Sequence, residues 1–227
     1  MNTSDIIQIV LASLTLIGVI VALITTSWSI RAQNKQSLFE KRLETFVLCK
    51  TFYDLIDENI EHLDIKPEKS YPLTISLEFS WITNTDYFEK SPRLINDVYN
   101  EEYRYKFLQK LEDLNSLSEK CSLLFKGTNG ALLRTFIASY RDAIRSMYGY
   151  QVLVEKMRND PIEKMKKDAV AAGATKMVPK TAKQLCESYS EPKHQKELLK
   201  KINTLRAAFN DLKKNHSLEK IKKQLIL

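Results

Sequence analysis

Residues 6–30 read IIQIVLASLTLIGVIVALITTSWSI, twenty-five uncharged positions between Asp5 and Arg31. At about 1.5 Å of rise per residue, a helix of this length crosses a hydrocarbon core of roughly 30 Å with some tilt. Apolar residues surround it on every side, which leaves no polar face for water and argues against a buried helix of a soluble domain. Residues 1–5 carry no Lys or Arg, and the apolar run exceeds the h-region of a cleaved signal, so the expectation is a retained span from Ile6 to Ile30.

Positive charge gathers immediately after the run, at Arg31, Lys35, Lys41 and Arg42, whereas the N-terminal flank offers only Asp5 and the amine. By the positive-inside rule, residues 1–5 are expected outside an inner (cell) membrane and everything after the span in the cytoplasm. Trp28 stands where an interfacial aromatic is expected. Gly18 and Ala22 form a small-xxx-small pair through which two spans can approach, although lipid-facing residues of this kind are common.

Between Gly18 and Pro67 there is neither Gly nor Pro, and Phe39, Leu43, Phe46, Cys49, Tyr53, Ile56, Ile60 and Leu63 recur at spacings of three and four. The span is therefore expected to run on into a long amphipathic helix. Within it Leu38 to Phe46, LFEKRLETF, resembles a segment that follows the anchor in a loose group of uncharacterised bacterial single-span membrane proteins. The resemblance covers the first fifty residues and implies an architecture without an activity.

Downstream, the pattern predicts an all-α fold, an antiparallel helical bundle. Leu94 to Phe125 and Ala131 to Arg158 read as helices joined by a turn at 126–130, KGTNG, and Asn159-Asp160-Pro161 ends the second of them. Domain limits follow: an outer segment 1–5, the span 6–30, a cytoplasmic bundle 31–158, a basic helix and linker 159–183, and basic C-terminal helices 184–227. One stretch breaks the helical rule. Leu73, Ile75, Leu77, Phe79 and Trp81 alternate with polar residues at a period of two, the pattern of a short strand or extended arm over 73–81. A lone strand needs a partner for its backbone, so these five residues are candidates for an interaction edge, with a helix or irregular connector as the alternative.

Charge is uneven along the chain. Residues 156–227 hold eighteen Lys or Arg against eight acids, while residues 1–155 hold seventeen against twenty. The lysines of the basic third, Lys164, Lys166, Lys167, Lys200, Lys201, Lys213, Lys214, Lys222 and Lys223, are candidates for contact with anionic headgroups of the bilayer or, as the alternative, nucleic acid, though they also suit a plain solvated face. Lys dominates there over the Arg that reads base edges, only Phe209 and Tyr189 are at hand for stacking, and no signature of a nucleic-acid module is present. Leu198, Ile202, Leu205, Phe209 and Leu212, spaced four, three, four and three, form a short heptad seam and a second candidate interaction surface.

No phosphate-cradling glycine loop, dinucleotide fingerprint or nucleophile elbow is present, and His62, His194 and His216 are scattered. No catalytic residue, cofactor or metal is assigned; an enzyme would need a cryptic site. Cys49, Cys121 and Cys186 lie too far apart for metal-ligand spacing and read as reduced core thiols. The functional expectation is an anchored interaction, scaffold or sensor module that self-associates or holds a protein partner. By analogy of architecture it would be a bacterial accessory or phage-defence factor.

Overall fold

The computed structural model describes residues 3–65, 72–89, 91–171, 173 and 179–225, and the described residues are helical with no strand. The chain divides into two compact units, residues 1–44 and 45–227. A single helix, α1 (Thr3–Asn59), supplies all the described residues of the first unit and opens the second. The run of residues with no Gly and no Pro after Gly18 is the local reason that nothing interrupts it.

In the first unit every described side chain from Leu14 to Lys41 is exposed, including Leu16, Leu23 and Trp28. Among the described residues, one helix is long and apolar enough to cross a membrane, with a mean hydropathy of 1.7 over its most apolar window. Ile6 lies within α1, but its side chain is outside the described set.

The second unit opens with the amphipathic end of α1. Phe46, Cys49, Phe52 and Ile56 are buried there at the three- and four-residue spacing read from the sequence. After a 3-10 turn, Ile60–Leu63, and a connector whose residues 66–71 lie outside the described set, α2 spans Ser76–Thr83. A second 3-10 turn, Ser91–Ile95, precedes α3 (Glu101–Leu124). The Asn100 side chain accepts a hydrogen bond from the Tyr103 amide and Glu101 and Glu102 sit in the first turn, so α3 starts seven residues later than Leu94. Leu94 and Val98 are still buried, from outside the helix.

The expected turn at 126–130 is shorter than its composition suggests. α4 runs Gly127–Arg158, with Gly127 at φ +75° and the reversal confined to Phe125 and Lys126. Gly130 sits inside the first turn of α4, where a Cβ would stand 2.2 Å from the Phe125 carbonyl oxygen. The pair thus works through close backbone approach at Gly130 and a left-handed start at Gly127.

α4 ends at Asn159, as the Asn-Asp-Pro signal predicts, and Asp160 caps α5 (Pro161–Ala171) by accepting from the Ile162 and Glu163 amides. Of the linker expected next, residues 172 and 174–178 lie outside the described set. A Thr181/Gln184 capping box starts α6 (Ala182–Ser188), followed by α7 (Glu191–Lys214) and α8 (Ser217–Leu225). The core sits where α4 packs against α3 and α7. Phe52 meets Tyr140 at 5.0 Å between ring centroids, and Tyr53 meets Phe209 at 4.9 Å. Gln224 closes the unit by accepting from the Lys126 amide and donating to its carbonyl.

The strand expected over 73–81 is corrected: from Ser76 onward the segment is α2. Ile75, Phe79, Ile82 and Thr83 are buried, a helical spacing, whereas Leu77 is 55% exposed and breaks the two-residue alternation. A strand there would need an edge to pair with. Instead the segment satisfies its own backbone as a helix, and α4 holds both of its ends: Leu73 N–H donates to the Tyr150 hydroxyl, and the Tyr140 hydroxyl donates to the Ile82 carbonyl.

Candidate functional site

Cations both predicted and unpredicted surround a cavity of about 300 Å³ at the C-terminal end of α4. Arg158, Lys164, Lys167 and Lys180 ring it, over an apolar floor that includes Val154, Met157 and Leu185. The floor follows from the apolar stripe of α4 running to its last turn, and the ring from Lys164 and Lys167, one helical turn apart on α5. Glu163 is 4% exposed. Its carboxylate accepts from the Lys180 amide at 2.8 Å and from Lys166 at 3.0 Å, and the Lys180 N–H chiefly holds it below the ordinary carboxylate range. It thereby ties α5 to the start of the segment leading into α6. The chemistry on offer is electrostatic: cations beside an apolar floor suit an anionic group with an apolar neighbour.

Nearby is a buried polar network. The Tyr150 hydroxyl donates to Glu191 Oε1 and accepts from Leu73 N–H. Burial first, and then the Glu191 contact, push the Tyr150 phenol well above its ordinary range and keep it a donor. Glu191 is fully buried at the start of α7, behind Ser190 at φ +55°, and no described group pairs its Oε2. Gln195 Nε2, one turn on, is likewise buried without a described partner. Sequence reasoning missed Glu191 and Tyr150. The only signal was an acid beside Pro192 at a helix start, which usually marks an exposed first turn.

The remaining candidates are dispersed. Lys200, Lys214, Lys222 and Lys223 are exposed, while Lys201 pairs with Asp142 at 2.9 Å and Lys213 with Asp57 at 2.7 Å. Burial raises the Asp142 carboxyl, but hydrogen bonds from Lys201 and Arg141 outweigh it and leave the net value below the ordinary range. The heptad seam is not a free surface: Leu198, Ile202, Leu205, Phe209 and Leu212 are all buried in the chain's own core, with Phe209 against Tyr53 and Phe136. That reading as an interaction surface is corrected, because α4 already occupies the seam. Leu73, Ile75 and Phe79 are spent in the same way, and Trp81 lies against His62 in a tilted contact with ring centroids 4.0 Å apart.

All three cysteines are free and buried. Cys49 and Cys121 lie 3.4 Å apart, Sγ to Sγ, and burial, reinforced by Cys121, pushes the Cys49 thiol well above its ordinary value. Among the described residues, no group of three His, Cys, Asp or Glu side chains is placed to hold a metal ion. No protein-family model, curated protein or solved structure matches the chain.

Proposed function

We propose that the chain is a single-pass inner-membrane protein, with residues 1–5 outside and the basic helical unit in the cytoplasm, that acts through contacts as an anchored interaction or sensor module. The observation that carries this reading is the exposure of the apolar side chains of α1 between Leu14 and Ile30, with Leu23 at 65% and Trp28 at 67%. So much apolar surface on one helix is stable in lipid and unfavourable in water, at about 25 cal/mol for each Å². Arg31, Lys35, Lys41 and Arg42 follow at once and support the orientation.

The exposed lysines of α5, α7 and α8 and the ring around the cavity favour anionic surfaces as what the basic third meets. Each cation near an anionic leaflet contributes about 1 kcal/mol, lost as salt shortens the Debye length. The narrower form of the proposal, a bacterial accessory factor engaged in defence against phage, is supported by analogy of architecture alone.

The test is alkaline extraction of membranes from cells expressing the full chain, with protease applied to intact and opened cells. The expected result is retention in the membrane and digestion of the helical unit only after opening. Release into the supernatant, or digestion from outside, refutes the reading. Salt-resistant retention on anionic vesicles would remove the electrostatic part alone.

A further inference from the structure

We propose that two copies of this chain associate in parallel through one face of α1, centred on Gln36, Phe39 and Leu43 and continuing into the apolar run. The proposal rests on the span reading above and names the partner of that same helix as a second copy.

Phe39 is 44% exposed and Leu43 40% exposed, and both follow Arg31. At about 1.5 Å per residue they lie roughly 14 to 20 Å beyond the end of the apolar run, where lipid tails do not cover them. Gln36, Phe39 and Leu43 are spaced three and four, so they share one side of the helix. Read toward the N-terminus, the same alternation passes through Ala32, Ser29, Thr25, Ala22 and Gly18, all exposed. It is the spacing of a heptad seam, with Leu43, Gln36, Ser29 and Ala22 at one core position and Phe39, Ala32, Thr25 and Gly18 at the other. The next residue in phase, Phe46, is 8% exposed and belongs to the core of the second unit, so the unpartnered seam ends there.

Charge selects the occupant and the orientation. In a parallel pair of identical helices, the residue before one core position faces the residue five further along the other copy. Here that sets Lys35 against Glu40, opposite charges, and two-fold symmetry makes the contact twice. Glu40 is held at the margin of the seam by Gln36, whose Nε2 donates to it at 3.0 Å. The opposite side of the helix, around Leu38, carries Arg31, which a pairing there would set against its own copy. Within the apolar run, the small residues of the seam let two backbones approach, and a Cβ placed on Gly18 meets nothing.

The experiment uses the full chain in its membrane, with cysteine placed singly by Gln36→Cys, Leu43→Cys, Leu38→Cys and Lys41→Cys and mild oxidation by copper phenanthroline. The unaltered chain, whose three thiols are buried, sets the baseline. The expected result is a disulfide-linked dimer at 36 and 43 in roughly fivefold higher yield than at 38 and 41, as a single seam requires. Equal yields at all four positions, no dimer, or cross-links to another protein alone would overturn the proposal. Adding Lys35→Glu to Leu43→Cys, which leaves Gln36 in place, should cut the yield by roughly two- to threefold, and further Glu40→Lys should restore it. Failure of that rescue overturns the parallel register. Alkaline extraction of the same membranes separates the two readings: a chain that stays in the membrane without forming dimers defeats the pairing alone, and a chain that is extracted defeats the span and the pairing with it.

Discussion

The same substitution at two glycines of one helix should have opposite effects. Gly149 and Gly130 both lie inside α4, and alanine at an interior helical position gains about 0.8 to 1.0 kcal/mol over glycine. At Gly149 the new methyl meets nothing within 4 Å, so the gain is realised in full. At Gly130 it would sit 2.2 Å from the Phe125 carbonyl oxygen and 3.1 Å from that of Cys121. The near group is main chain, anchored by the Phe125 N–H donating to Cys121 and by a side chain that is 1% exposed, so relief requires moving the α3–α4 reversal itself. Overpacking of this kind costs about 1 to 3 kcal/mol, and a main-chain obstacle belongs at the upper end. Net of the propensity gain, Gly130→Ala should destabilise by about 2 kcal/mol and Gly149→Ala stabilise by about 1 kcal/mol. For a unit of this size each kcal/mol moves the midpoint by roughly 2 to 4 °C. Thermal unfolding of the full chain in mild detergent, followed by circular dichroism at helical wavelengths, should therefore show a fall of roughly 4 to 8 °C for the first and a rise of roughly 2 to 4 °C for the second. An unchanged or raised midpoint for Gly130→Ala would refute the close approach of α4 to the reversal.

Ile202→Ala should cost about 2 to 5 kcal/mol and Phe209→Ala about 3 to 5, because both fill the chain's own core, while the exposed Lys200→Ala should stay within about 0.5; the unfolding midpoint reads all three, and near-neutral core changes would return the seam to the surface. Tyr150→Phe strips the Glu191 carboxylate of its one hydrogen bond among the described residues and Leu73 N–H of its acceptor, at about 1 to 3 kcal/mol for each buried group left unmet. In a Glu191→Leu background the same change should cost less, and an additive double-mutant cycle would deny the network. The Asp142 carboxyl is depressed in the folded state, so its stabilisation is present above its ordinary value near 3.8 and lost as pH falls through the lower folded value. Asp142→Asn should therefore trail the unaltered chain at neutral pH, and the gap in unfolding midpoints should begin to close near pH 3.8 and vanish below the lower folded value; a gap that persists in stronger acid would mean that the ion pair with Lys201 is not its source.

The helical class was legible because its cause is local. Spacings of three and four from Phe46 to Leu63, the stop at Asn159-Asp160-Pro161 and the seam at Leu198 to Leu212 all mark elements that bury one face. What each face packs against was not legible. A heptad spacing reads the same whether the other helix belongs to this chain or to a neighbour, and only the presence of α4 decides that Ile202 and Phe209 face inward. At 73–81 the local signal pointed the wrong way. Alternation over so short a run shares Ile75 and Phe79 with a helical repeat, and the deciding contacts come from Tyr140 and Tyr150, more than fifty residues away.

The candidate site shows the same division between composition and placement. Excess lysine in the last third is a property of composition and was visible at once. The ring of Arg158, Lys164, Lys167 and Lys180 depends on how α5 and α6 fold back beside the end of α4, which no spacing encodes. Glu191 illustrates the limit most sharply. An acid at the first position of a helix ordinarily faces water and complements the positive end of the helix dipole. Here Ser190 in the left-handed region and Pro192 beside it set the entry to α7, the carboxylate is buried, and a tyrosine forty-one residues earlier supplies its hydrogen bond. Apolar replacement of a buried acid with so few partners is often neutral or stabilising, whereas removing its partner alone is costly, so the Tyr150 contact is where α7 is sensitive to α4. The Tyr150 and Glu191 cycle measures how strongly each residue's cost depends on the other across the contact between α4 and α7.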